Sequence, residues 1–525
     1  MTLRWDVNYL EEKIYFRLVY RFVEKGWLVF GFSDYGDVRE ADVVLYGIDS
    51  RKNQYFKDCW TDKLGKLHTD SQQDYILTET ASGQGFLGIE FHRKFDTCDT
   101  HDYMIDNGTT HIIFMVGNED SPVKLSLDVK DVGLQRVQLL KPDIPPPRLP
   151  SDVWSFEIRA PAIEVPATDT TYWWYTTKLP ILSRKHHIVK YEGIIQEKNN
   201  NLVHHMEVFH CEVEHDDVIP KFSGPGAAEG KPPKLESCRK VIGAWAMGAE
   251  AMVLPEEAGT PIGGPDYSPY VLLEIHYNNP QLKQGVRDSS GIRFYVSSIL
   301  RPYDSGIMEL GLEYTNKMAI PPRQHLFSLT GYCIPACTRI GLPRHGINVY
   351  ASQLHTHMTG KRVFTKHVRR GVELPELNRD NHYSPHFQEI RKLPQLVTVL
   401  PGDSLVTTCE DSTESRPNVT VGGFSIREEM CVNYIHYYPK VDLEVCKSSI
   451  ADSSLRQFFD FIARWNNPTV SRERGVKENY QSIHWTPTIV ETLTSLYLTA
   501  PISMQCNHSD GRRFKVICDD MTINV

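Results

Sequence analysis

Short runs in which apolar and polar residues alternate dominate most of the chain. Ile14, Phe16, Leu18 and Tyr20 alternate with Tyr15, Arg17 and Val19, the period of two that puts one face of a strand in a core. Trp27 to Phe30 follow Gly26, a glycine-rich turn occupies 31–36, and Ala41 to Leu45 begin another run. Strands this short, divided by such turns, predict a β-sandwich over 1–130. Within 131–150, Pro145, Pro146, Pro147 and Pro150 forbid helix and predict an extended linker. Strand patterns resume at 187–191 and 270–277, with Gly-Pro turns at 223–226 and 263–265, and continue at 346–351 and 397–403. Two further β-rich blocks are therefore expected, 151–300 and 301–447. Helical spacing emerges only at 454–463 and 489–498, so 448–525 is read as a short helical C-terminal segment. The expected fold class is mainly β, with no tandem repeat.

Length and charge narrow the picture. A chain of 525 residues with 41% hydrophobic and 23% charged positions is an ordinary globular chain of about three or four domains at roughly 150 residues each. A net charge of −9 without long runs of one sign argues against nucleic-acid partners. No apolar run reaches about 18 residues, so no transmembrane segment is expected. The 11 cysteines are scattered, with no paired C-x-x-C knuckles, and read as disulfides of an oxidising compartment. Sequons at Asn107, Asn418 and Asn507 agree with a glycosylated secretory-pathway protein. Met1 runs directly into the strand-like Leu3 to Val7, so a leader is expected to lie outside the given sequence.

The chemistry concentrates in a few histidines. His355 and His357 are two apart, which on a strand places both imidazoles on one face, in reach of one metal ion. Met430 offers a thioether, a soft ligand suited to Cu(I). His204 and His205 are adjacent and would point to opposite faces of a strand, so they share a metal only if the strand bulges or ends there. His276 sits in an apolar strand. Taken singly, His276 reads as a core histidine and Met430 as core filler. Together the six residues make one all-nitrogen set and one nitrogen-plus-sulfur set, which is a copper pattern.

The order of four segments, Val203-His-His-Met-Glu-Val-Phe, Leu273-Glu-Ile-His-Tyr-Asn-Asn-Pro, Gln353-Leu-His-Thr-His and Glu429-Met-Cys-Val-Asn-Tyr, resembles the copper type II ascorbate-dependent monooxygenases, in their dopamine/tyramine β-hydroxylase branch. The leading block resembles a DOMON domain through Leu3 to Val7 and Gly31 to Asp34, and the likeness runs on to Ala500 through Asn507. The resemblance implies a DOMON-type sandwich followed by two jelly-roll-like copper domains. His204, His205 and His276 would hold an electron-transfer copper, and His355, His357 and Met430 an oxygen-binding copper. Two coppers per chain, ascorbate, dioxygen and a phenylethylamine are then the expected cofactors and reactants. Tyr172 and His355 are the expected catalytic residues, and Glu309, Glu313 and Tyr437 the candidates for substrate contact. Wording at 312–315 and 444–449 is similar to tyramine enzymes, implying tyramine to octopamine; dopamine to noradrenaline, or an orphan substrate, are the alternatives. The expected location is a secretory or synaptic vesicle lumen, or outside the cell.

Family order further implies the disulfides Cys98–Cys518, Cys211–Cys238, Cys333–Cys446, Cys337–Cys506 and Cys409–Cys431, leaving Cys59 over. One further family pair is replaced on both sides, by Trp174 and Gly226, which puts rigidity near Tyr172 in question. Cysteines that tie subunits in some members are missing from 466–477, so a homodimer would rest on packing, including that of the C-terminal helices, unless Cys59 is the link. The competing non-enzyme reading is a secreted β-sandwich binding protein with structural histidines.

Overall fold

The structure is a computed structural model that describes residues 1–21, 26–83, 85–117, 133–214, 217–279, 281–465, 470–508 and 511–514. It divides into two compact units, one of 1–141 with 380–384 and one of 142–379 with 385–525.

In the first unit, a four-stranded sheet (Thr2–Asn8, Lys13–Arg21, Phe86–Lys94, Ile76–Gly83) faces a six-stranded one centred on Gly26–Ser33 and Asp42–Ile48. The alternation in Lys13–Arg21 does what its period predicts: Ile14, Phe16, Leu18 and Tyr20 are buried and pack on Phe30, Phe32 and Phe91. Gly26–Ser33 is buried on both faces because its other side carries a second cluster, Trp27, Val29, Val43, Leu45, Ile113, Met115 and Cys59. Cys59 is only 1% exposed, and burial pushes its thiol up to about 11. It is a core residue. Cys98 is exposed; its expected partner, Cys518, lies outside the described residues.

The second unit contains two β-sandwiches that share a core. The first has a five-stranded sheet, Ser223–Pro225, Thr170–Lys178, Tyr270–Asn278, Val203–Cys211 and Cys238–Ala246, against a six-stranded sheet that includes His186–Ile194 and Gly291–Ser297. In the other, Ile347–Thr356, Cys431–Tyr438 and Gly306–Leu312 lie side by side in a six-stranded sheet, against a four-stranded sheet that includes Asp403–Asp411. Tyr350, Ala351 and Tyr438 of the second sandwich belong to the same buried cluster as Ile188, Val208 and Ile275 of the first. The expected boundary near 300 is therefore a continuous apolar junction: Ala258 pairs in register with Tyr303 across it.

Four disulfides are formed, Cys211–Cys238, Cys333–Cys446, Cys337–Cys506 and Cys409–Cys431, each as the family order implies. Four helices are described: α1 (Pro335–Gly341), α2 (Asp452–Trp465), α3 (Val476–Ser482) and α4 (Pro487–Thr499). The C-terminal segment is not purely helical, because Ile502–Asn507 returns to pair with Val445–Ile450. Among the described residues no helix is long and apolar enough to cross a membrane.

Candidate metal centres

The first cluster depends on a backbone irregularity. Val203 pairs with Tyr277 and His205 with His276, so the ladder skips a residue and His204 is the bulged position. A bulge re-aims a side chain. Here it lets two adjacent imidazoles meet on one side: His204 Nδ1 lies 3.1 Å from His205 Nδ1, which lies 3.3 Å from His276 Nδ1. The three histidines offer ligand atoms within 4.8 Å of one another. Tyr172, the register partner of His276, stacks on its ring. The His276 Nε2 is buried with no hydrogen-bond partner among the described residues.

The second cluster sits where Ile347–Thr356 ends beside Cys431–Tyr438. His355 pairs with Val432 and Thr356 with Cys431, so Met430 stands at the register position facing His357. The two imidazoles are perpendicular, with centroids 5.4 Å apart. Both Nδ1 atoms are engaged, His355 with Gln388 Oε1 at 2.6 Å and His357 with the carbonyl of Glu428 at 3.0 Å. That leaves each Nε2 available to a metal ion, since a metal-binding histidine commonly donates its other ring nitrogen to a nearby acceptor. Glu429 ties the cluster together. Its carboxylate accepts from the amides of His357, Met430 and Thr359 and from the Thr359 hydroxyl.

Both clusters open on one cavity of about 740 Å³, lined by His204, His205, His276, His355, His357 and Tyr172 among others. Burial, followed by neighbouring imidazoles, holds His205 well below its ordinary range, takes His276 to about 3, and takes His355 to about 4. His205, His276 and His355 are thus held neutral, the form that ligates metal.

Comparison with known proteins places this geometry in a family. Models of the copper type II ascorbate-dependent monooxygenase N-terminal and C-terminal domains match residues 156–284 and 303–459, and a DOMON model matches 1–117. The chain is 49% identical to the dopamine beta-hydroxylase of Bos taurus over 521 residues, covering 98% of this chain and 85% of that protein. This chain belongs to the copper type II ascorbate-dependent monooxygenases. It is also 37% identical over 530 residues to the tyramine beta-hydroxylase of Caenorhabditis briggsae (98% and 87% covered). To DBH-like monooxygenase protein 1 of Mus musculus it is 32% identical over 522 residues (96% and 84%).

The family's copper fits these donors: imidazole nitrogens suit copper, and a thioether favours its reduced state. As a member of the family the chain is an oxidoreductase that uses dioxygen and ascorbate. The residues proposed for substrate contact lie elsewhere. Tyr437 is fully buried, with its hydroxyl on the carbonyl of Leu443. Glu309 bonds Lys447 and Tyr314, and Glu313 borders a separate small cavity with Lys317 and Ser449. None of the three lines the large cavity.

The cavity has lining residues that pattern reading missed. Asp169 is the one carboxylate among them, and Arg416 and Arg427 are the cations. His386 is another imidazole, with its ring 6.0 Å from that of His204. Neither Gln388 nor Asp169 carries a motif signal of its own. The sequon residue Asn418 is exposed and lines the cavity, and Asn107 is exposed, while Asn507 ends a strand. Where the family pair is replaced, Trp174 lies against Gly226 so closely that an added Cβ would come within 2.7 Å of the indole. The Trp174 indole N–H donates to Glu274, which anchors the segment beside Tyr172 by packing in place of a covalent tie.

Proposed function

We propose that this enzyme hydroxylates the benzylic carbon of a phenylethylamine, with two coppers per chain. His204, His205 and His276 hold one ion through their Nδ1 atoms, and His355, His357 and Met430 hold the other. Copper, when bound, supplies single-electron transfer from ascorbate and the activation of dioxygen. In the overall reaction a C–H bond becomes C–OH, the second oxygen atom leaves as water, and two ascorbates give one electron each. The observation that carries this reading is the single cavity lined by histidines of both clusters.

The chain's own groups set up the site. Tyr172 fixes the ring of His276, Gln388 fixes that of His355, and Glu429 holds His357 and Met430 in one frame. An aromatic amine enters with its ammonium toward Asp169, while His386 and Tyr172 supply ring surface. Tyramine is the substrate implied by the wording of the third block. The 49% identity to a dopamine enzyme, against 37% to a tyramine enzyme, favours dopamine as the second reading. The four disulfides support a secretory vesicle lumen or secretion as the setting.

The test is product analysis of copper-loaded protein given ascorbate, oxygen and equal tyramine and dopamine, with a peptide substrate as control. Hydroxylated amine that requires both copper and ascorbate supports the proposal, and the product ratio names the substrate. Absence of amine product from protein holding both coppers contradicts it; absence of bound copper supports a binding protein.

A further inference from the structure

A second type of metal centre can be argued in the N-terminal sandwich, from residues that the amine chemistry does not use. Asp70 directly follows the short strand Leu67–Thr69, and Asp99 and His101 lie in the connection that follows Phe86–Lys94. Asp70, Asp99 and His101 offer three ligand atoms within 4.8 Å of one another. His101 Nδ1 lies 3.6 Å from Asp70 Oδ2 and 3.7 Å from Asp99 Oδ1. Those separations are too long for hydrogen bonds. They match two atoms each about 2.1 Å from a shared ion and subtending about 118–124° there.

Asp70 provides the independent observation. Its residue is 7% exposed, and its Oδ2 is buried without a hydrogen-bond partner among the described residues. Its Oδ1, by contrast, accepts from the amide of Gln72 at 3.2 Å, which fixes the carboxylate with Oδ2 turned toward His101. A buried carboxylate oxygen left without a partner is costly. His101 is also held in place. Its ring stacks on Trp60 at 4.1 Å with planes 3° apart, and its amide donates to Asp99 Oδ1 at 2.8 Å.

We propose that Asp70, Asp99 and His101 bind a divalent transition-metal ion of the zinc type, completed by water. Two oxygens and one nitrogen suit zinc and leave no soft donor to prefer reduced copper. The ion would tie the turn at Asp70 to the segment around His101, a staple within the sandwich.

The test uses the full chain with its copper sites filled and excess copper removed, titrated with Zn²⁺ by calorimetry and by metal analysis. The wild type is expected to take up one zinc per chain beyond its copper. H101A and D70N are each expected to weaken that zinc at least tenfold, with copper content and hydroxylation unchanged. H101A removes an exposed ring, and D70N keeps the Gln72 contact, so both variants are expected to fold. Equal zinc affinity in all three proteins, or no zinc uptake beyond the copper sites, overturns the proposal.

Discussion

Tyr172 lies flat against His276, with ring centroids 4.4 Å apart and planes 9° from parallel. The two residues are direct partners across adjacent strands, so the stack follows from register. It fixes the His276 ring with its Nδ1 toward His205. Y172F keeps the stack and is expected to retain copper and stay within about threefold of wild-type turnover. Y172A loses the second-sphere support and is expected to lose about tenfold in copper affinity at the all-histidine cluster. Copper per chain after dialysis reads this directly. A Y172F protein that holds its copper but does not turn over would instead give the hydroxyl a chemical role.

Glu429 accepts from the amides of His357 and Met430, residues far apart in sequence that must meet. E429Q puts an amide donor where a carboxylate accepted, opposing an N–H with an N–H. The expected loss is about 3 kcal/mol of stability, read as a lower urea midpoint, with copper lost first from the sulfur-containing site. An unchanged midpoint contradicts the clamp.

Asp169 is the carboxylate of the large cavity. D169N should raise KM for a phenylethylamine about tenfold or more, with kcat changed far less. If Asp169 only rims the cavity, KM stays put.

Burial holds His111, His210 and His436 at about 4, down from their ordinary 6.5. The folded chain keeps these imidazoles neutral, whereas the unfolded chain protonates them as pH falls through 6.5. Below that value the unfolded state binds more protons, so stability drops, by up to about 1.4 kcal/mol per pH unit for each histidine, until about pH 4. Buried Asp42, Asp58 and Glu207, which burial pushes up to about 7, 8 and 8, act in the opposite sense over this range. The histidine contribution is therefore read by difference: as pH falls from 7 to 5 the urea midpoint of metal-free H436N should drop less, or rise more, than that of the metal-free wild type. The same pH response in both proteins would contradict this.

What could be read from the sequence followed from periodicity. Alternation exposed the sandwiches, and a spacing of two placed His355 and His357 together. The pairing of His204 with His205 was legible only as a condition, because a bulge depends on how the strand registers with its neighbours. Gln388 and Asp169 were not legible, since each acquires its place only when distant strands close around the cavity. Tyr437 misled for the same reason: it lies in the strand that follows Met430, but there its side chain points into a core. Helices α1 and α3 are only seven residues long, too short for a helical period to stand out.

One cavity is proposed to serve two coppers with different donors. X-ray absorption at the copper edge of the reduced, copper-loaded protein tests it most directly, comparing wild type with M430H and H276A. Sulfur scattering is expected in wild type, with its loss in M430H, where copper is retained and turnover impaired, and its persistence in H276A. Sulfur scattering that survives M430H, or disappears in H276A, would contradict it.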